Sequence, residues 1–213
     1  MVGDLLICIK LVAHLALSAY AEKVFFTYQN MFTSILAKVQ QDYEKFETER
    51  RECLHLSGKL RVGSKTAIVF MVKGEMEKAK QHLEELPKIS ENILQYIEKN
   101  PYLWSVRGFN EGFEEYVEAA LLAAYLEKQE FPNAEDLGVN HDVYIAGLCD
   151  MTGELVRIVY KNPERVKEIY EVLTSIYKDS LGFTIQRNSV VREKMGHLDR
   201  NIKRLEQVMY ENR

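Results

Sequence analysis

Between Val143 and Tyr160 the chain (VYIAGLCDMTGELVRIVY) carries charge only at Asp150, Glu154 and Arg157. On a helix these share one narrow stripe, and the remaining positions are apolar or small, which predicts a helix buried on most sides. The run from Tyr116 to Leu126 (YVEAALLAAYL) repeats the pattern, with Glu118 as its one charge and Glu115 three residues earlier on the same side. Other elements follow from the same periodicity. A long helix is predicted from Phe32 to about Lys73, with Phe32, Ile35, Leu36, Val39, Tyr43 and Phe46, then Cys53, Leu60, Ala67 and Met71 facing a core. At about 40 residues it would span roughly 60 Å. A second helix covers Glu75 to Lys99, to be kinked or broken by Pro87 and ended by Asn100-Pro101. A third runs from near Trp104 to about Lys128, and after Gly138 the residue Asp142 is expected to cap the helix of the opening run.

Pro163 suits the first position of the next helix, which Gly182 should end. The last helix, Ser189 to Tyr210, aligns Val191, Met195, Leu198, Ile202, Leu205 and Met209 into a seam. That seam serves either the domain's own core or another subunit. The pattern therefore predicts an all-α fold, a single-domain bundle of six or seven helices over residues 31–213. Residues 1–30 stand apart. Leu5 to Ala21 is apolar but interrupted by Lys10 and His14, and short for a membrane span. Ala19-Tyr20-Ala21 imitates a signal-peptidase site, yet Asp4 and the lack of an early basic residue make a poor signal. An extra packing helix, or translation begun upstream of a start at Met31, suits the chain better than a cleaved signal.

Composition adds little to this picture. With 213 residues, 46% hydrophobic and 28% charged, the chain has the make-up of a soluble globular protein. A net charge of −4 gives no overall sign of nucleic-acid binding, so any basic surface must be local. One candidate is the second half of the long helix, where Arg50, Arg51, Lys59, Arg61 and Lys65 form either a solvated face or a phosphate-contacting one. Cys8, Cys53 and Cys149 are far apart with no CxxC pair, which suits reduced thiols in the cytoplasm. The five histidines are scattered and form no HExxH zinc motif. Gly58 to Thr66 (GKLRVGSKT) imitates a phosphate-binding loop, but Ser64 interrupts the spacing and no strand precedes it.

The acids carry the candidate chemistry. Two helices each offer a carboxylate pair, Glu115 with Glu118 and Asp150 with Glu154. Facing each other across a groove, they would supply three or four oxygen ligands to a hard cation. An ion-pair network ending in arginine is the other account of the same stripe. No Ser/His/Asp or Cys/His arrangement argues for a covalent mechanism.

Three segments resemble the translin family, and within it the branch of translin-associated factor X. They are Gly112 to Ala119 (GFEEYVEA), Tyr144 to Arg157 (YIAGLCDMTGELVR) and the basic C-terminal helix, with Ser64-Lys65 also fitting. The resemblance implies a right-handed helical bundle that closes into an octameric shell with nucleic acid on its inner surface. It also implies a magnesium-dependent endoribonuclease acting on single-stranded RNA, with manganese as an alternative cation and single-stranded DNA as an alternative ligand. The catalytic carboxylates of that branch fall on Glu115, Glu118 and Asp150, with Glu154 as a fourth metal ligand. Arg157 or Arg107 could hold a phosphate oxygen, beside Arg51, Lys59, Arg61 and Lys65 on the long helix. A homologous subunit is a candidate partner, and a membrane is not. Two readings compete with the nuclease: a shell that binds nucleic acid without cutting it, as in the translin branch proper, and a purely structural helical scaffold.

Overall fold

The computed structural model describes residues 2–106, 108–182 and 189–211. Among the described residues every element is helical: α1 Val2–Lys73, α2 Met76–Leu83, α3 Leu86–Lys99, α4 Asn110–Glu127, α5 His141–Lys161, α6 Val166–Ser180 and α7 Ser189–Glu211. Single 3-10 turns, Pro101–Ser105 and Pro163–Arg165, precede α4 and α6. The all-α expectation holds. The chain forms two compact units, Met1–Glu49 and Arg50–Arg213.

The first unit consists of α1 residues alone. The helix does not start near Phe32 as the periodicity suggested, but continues unbroken from Val2. Phe32, Ile35, Leu36, Val39 and Tyr43 keep their helical spacing yet are exposed, while Phe46 is half-buried. Among the described residues no helix is long and apolar enough to cross a membrane.

The second unit holds the core. Here α1 buries Cys53, Leu60, Ala67 and Met71, at the positions its pattern indicated, and the stretch imitating a phosphate-binding loop is plain helix. Pro87 does break the second helix: α2 ends at Leu83, and the proline sits in the first turn of α3. Trp104 lies in the 3-10 turn rather than in α4. Gly108 adopts a φ of 84°, a left-handed conformation that interrupts any helix running on from Trp104. Trp104 instead packs against Phe109 and Phe113, with ring centroids 5.5 and 5.3 Å away. The cap of α5 is Asn140, whose side chain accepts a hydrogen bond from the Val143 amide at 3.0 Å, and Asp142 lies within the first turn. Asparagine at this position has the extended backbone that a cap requires, which moves the start back by two residues.

Helix α5 is the centre of this unit, packed chiefly against α4 and α7, with α6 also lying on α7. Its approach to α4 depends on Gly147. A Cβ there would meet the Glu114 carbonyl oxygen at 2.7 Å and the Val117 side chain at 2.7 Å, so only glycine permits the approach. The seam of α7 is buried inside the chain's own core at Val191, Leu198, Ile202 and Leu205. Of the two destinations the sequence left open, the internal one is occupied.

Candidate functional site

The acidic stripes of α4 and α5 meet at one cavity of about 590 Å³. Glu115 and Glu118 reach it from α4, Asp150 and Glu154 from α5. Lys65 of α1 and Arg157 of α5 line it too, and α7 contributes His197, Arg200, Asn201 and Arg204. Helical spacing accounts for each group: 115 and 118, 150 and 154, and 197, 200 and 204 recur every three or four residues and share a face. Asn201, itself buried, donates to Thr152 Oγ1 at 3.0 Å and accepts from Arg204 at 3.3 Å. That chain of bonds fixes α7 against α5 beside the acids.

Three of the four acids have basic partners. Glu115 pairs with Lys65 at 2.9 Å, Glu154 with Arg157 at 2.6 Å, and Asp150 Oδ2 with Lys194 of α7 at 2.5 Å. Glu118 makes no ion pair among the described residues and is only 7% exposed. Its pKa is pushed up to about 9, first by burial and then by the charges of Glu115, Asp150 and Glu154, against which Lys194 works. At neutral pH this carboxyl holds its proton. Burial alone would lower the Lys194 pKa, but its bonds to Asp150 and Glu114 outweigh that and leave it raised. Cys149 also lines the cavity, and burial with the neighbouring Asp150 pushes its thiol up to about 12, far from a reactive thiolate.

The profile of the Translin family matches residues 38–213. The chain belongs to the translin family. Its fold is similar to the crystal structure of apo-NeC3PO, at 26% identity and a TM-score of 0.76, over 84% of this chain and 97% of that one. The crystal structure of AfC3PO aligns at 24% identity and a TM-score of 0.70, over 83% and 95% of the two chains. The structure of an AfC3PO–duplex RNA complex aligns at 23% identity and a TM-score of 0.69, over 83% and 97%. These last two likenesses establish the fold alone. No curated protein matches the chain.

In this translin-family chain the predicted site residues divide in two. Glu115, Glu118, Asp150, Glu154, Lys65 and Arg157 are brought together at the cavity. The other basic candidates are elsewhere. Arg61 pairs with Glu111 at 3.0 Å, Lys59 lines a separate groove with His55 and His82, and Arg51 is exposed on α1. Arg107 lies outside the described residues. Periodicity did not single out His197, Arg200 and Arg204. They occupy the polar flank of α7, and which neighbour that flank meets is decided only by packing.

The donors suit a hard divalent cation by type, since carboxylate oxygens are what such ions take. They suit it by charge as well: besides its burial, the charges of Glu115, Asp150 and Glu154 favour the protonated form of Glu118, and Lys194 offsets them only in part. As the side chains stand, no three His, Cys, Asp or Glu among the described residues form a ligating group. Lys65, Arg157 and Lys194 each draw one of the four cavity acids toward themselves. A cation would exchange some of those pairs for its own.

Proposed function

We propose that the cavity is the active site of a metal-dependent endoribonuclease of the factor X type, acting on single-stranded RNA. The observation that carries this reading is the convergence of four carboxylates from two helices on one cavity rimmed by cationic side chains. The acids Glu115, Glu118, Asp150 and Glu154 would hold magnesium, with manganese as a substitute. When bound, magnesium supplies Lewis-acid stabilisation of charge developing on the phosphate and lowers the pKa of a nearby water. Everything else is done by the chain. Lys65, Arg157, Arg200 and Arg204, which line the cavity, would hold phosphate oxygens and orient the backbone of the strand. The Thr152–Asn201–Arg204 chain of hydrogen bonds, buried at Thr152 and Asn201, fixes one of those cations relative to α5.

The deciding experiment is incubation of single-stranded RNA with the protein in magnesium and in chelator. Endonucleolytic products in magnesium alone are expected, and no products in either condition would refute the nuclease reading. Duplex RNA belongs in the same assay, since an AfC3PO structure of this fold is a duplex RNA complex. A second reading, binding without cleavage, is favoured by one observation: three of the acids already have basic partners. The same assay separates the two, because a binder retains RNA and leaves it intact.

The basic rim makes a further prediction. Replacing Arg200 and Arg204 together by Gln should weaken RNA binding uniformly across sequences. For every phosphate these arginines neutralise, their removal should flatten the plot of log affinity against log salt by about 0.7. Anisotropy titrations at several salt concentrations read this directly, and an unchanged slope would mean the two arginines do not touch phosphate.

Assembly belongs to this reading as well. The exposed residues Phe25, Phe32, Leu36, Val39 and Tyr43 follow one another at coiled-coil spacing along the first unit. An apolar stripe of that length is an aggregation liability unless covered, and a closed homo-oligomer would cover it. The octamer implied by the family resemblance is the expected size.

A further inference from the structure

We infer that Lys194 is a positioning residue for the acidic site, a clamp that holds Asp150 from outside the cavity and ties it to Glu114. The inference rests on the proposed cation site and adds to it a residue that touches neither cation nor RNA. Lys194 Nζ donates to Asp150 Oδ2 at 2.5 Å and to Glu114 Oε2 at 2.6 Å, so one ammonium joins α7 to α5 and α4. Its side chain is 18% exposed, that of Glu114 19% and that of Asp150 29%, which limits screening of the trio by solvent.

Where the lysine stands distinguishes a clamp from a competitor. An ammonium occupying the cation's own place would line the cavity. Asp150 lines it, whereas Lys194 and Glu114 are not among the lining residues. The clamp grips Oδ2 and leaves Oδ1 outside it. Glu114 and Glu115 are neighbours on α4, about 100° apart around the helix. One therefore turns to Lys194 while the other turns to Lys65 and the cavity. Two carboxylates against one ammonium also leave the trio negative, so the clamp orients Asp150 without cancelling the charge a cation needs.

Partners of this kind, hydrogen-bonded to a ligating carboxylate, cost about 10–100-fold in metal affinity when removed. The test is calorimetric titration of Mn²⁺ into the metal-free full-length protein without RNA, for wild type, K194M, K194R and E114Q, each checked for helicity and urea midpoint. K194M is expected to bind Mn²⁺ about 10–100-fold more weakly, and K194R to recover part of the loss. E114Q alters neither a cavity-lining residue nor a proposed ligand. It does remove a nearby negative charge as well as the partner of Lys194, so E114D, which keeps the charge and shortens the reach, is titrated beside it. A several-fold loss is expected in both. If K194M fails to fold, the two Glu114 variants carry the test. Mn²⁺ binding by K194M as tight as wild type or tighter would overturn the inference, as would unchanged affinity in either Glu114 variant. A lowered urea midpoint with unaltered affinity would do the same, since it would make Lys194 a packing residue only. A wild-type protein that binds no Mn²⁺ would instead remove the cation site itself, and the clamp with it.

Discussion

Glu118→Gln will stabilise the metal-free protein at neutral pH while abolishing cleavage of RNA. The two effects have one origin. In the folded chain the Glu118 carboxyl ionises only at about 9, because it is buried among Glu115, Asp150 and Glu154, whereas its ordinary value is 4.5. Between those values the unfolded chain has released a proton that the folded chain still holds. Unfolding therefore grows more favourable as pH rises from 4.5 toward 9, and the loss stops growing above the folded value. At pH 7 the cost is on the order of 3 kcal/mol, using the free energy equivalent to each pKa unit. Glutamine keeps the shape and cannot ionise, so its stability should be nearly flat over the same window. Urea unfolding in chelator at pH 5, 7 and 9 measures this. Parallel pH profiles for the two proteins would show that Glu118 is not held protonated. The cleavage deficit follows because a carboxyl can give up its proton to a cation, whereas the amide has none to release and brings no charge.

Leu198→Glu should unfold the second unit rather than merely separate subunits. Leu198 is 1% exposed, within the seam that α7 buries against the chain's own core. A carboxylate there has no partner, and the cost of burying it is on the order of 4–5 kcal/mol, a large share of a domain's stability. Since α7 also carries Lys194, His197, Arg200 and Arg204, the site should be lost with it. Circular dichroism and light scattering together decide the matter. Loss of helicity is the expected result. A fully helical monomer would mean that the seam faces another subunit.

What was legible in the sequence follows from what periodicity encodes. A solitary carboxylate in an apolar run can face only a few neighbours, so the two acidic pairs could be read onto helices before their meeting was seen. The α7 seam was equally clear as a stripe, but a stripe does not say what covers it. The apolar positions from Phe32 to Tyr43 looked like core for the same reason and are exposed. Helix ends were read less well where they depend on local conformation. The left-handed backbone at Gly108 delays α4, and Asn140 rather than Asp142 caps α5. The clamp was out of reach altogether. Glu114, Asp150 and Lys194 come from three helices, and nothing in their spacing announces that one ammonium will bridge the other two.

Asp150 is both a cavity acid and the partner of Lys194. Asparagine at this position keeps an oxygen for the lysine and removes the charge. The measurement is a paired one on the Asp150→Asn protein: single-stranded RNA binding by anisotropy, and cleavage of the same RNA in magnesium. Binding equal to wild type with no cleavage is the predicted result. Cleavage at the wild-type rate would contradict the assignment of this cavity as the place where RNA is cut.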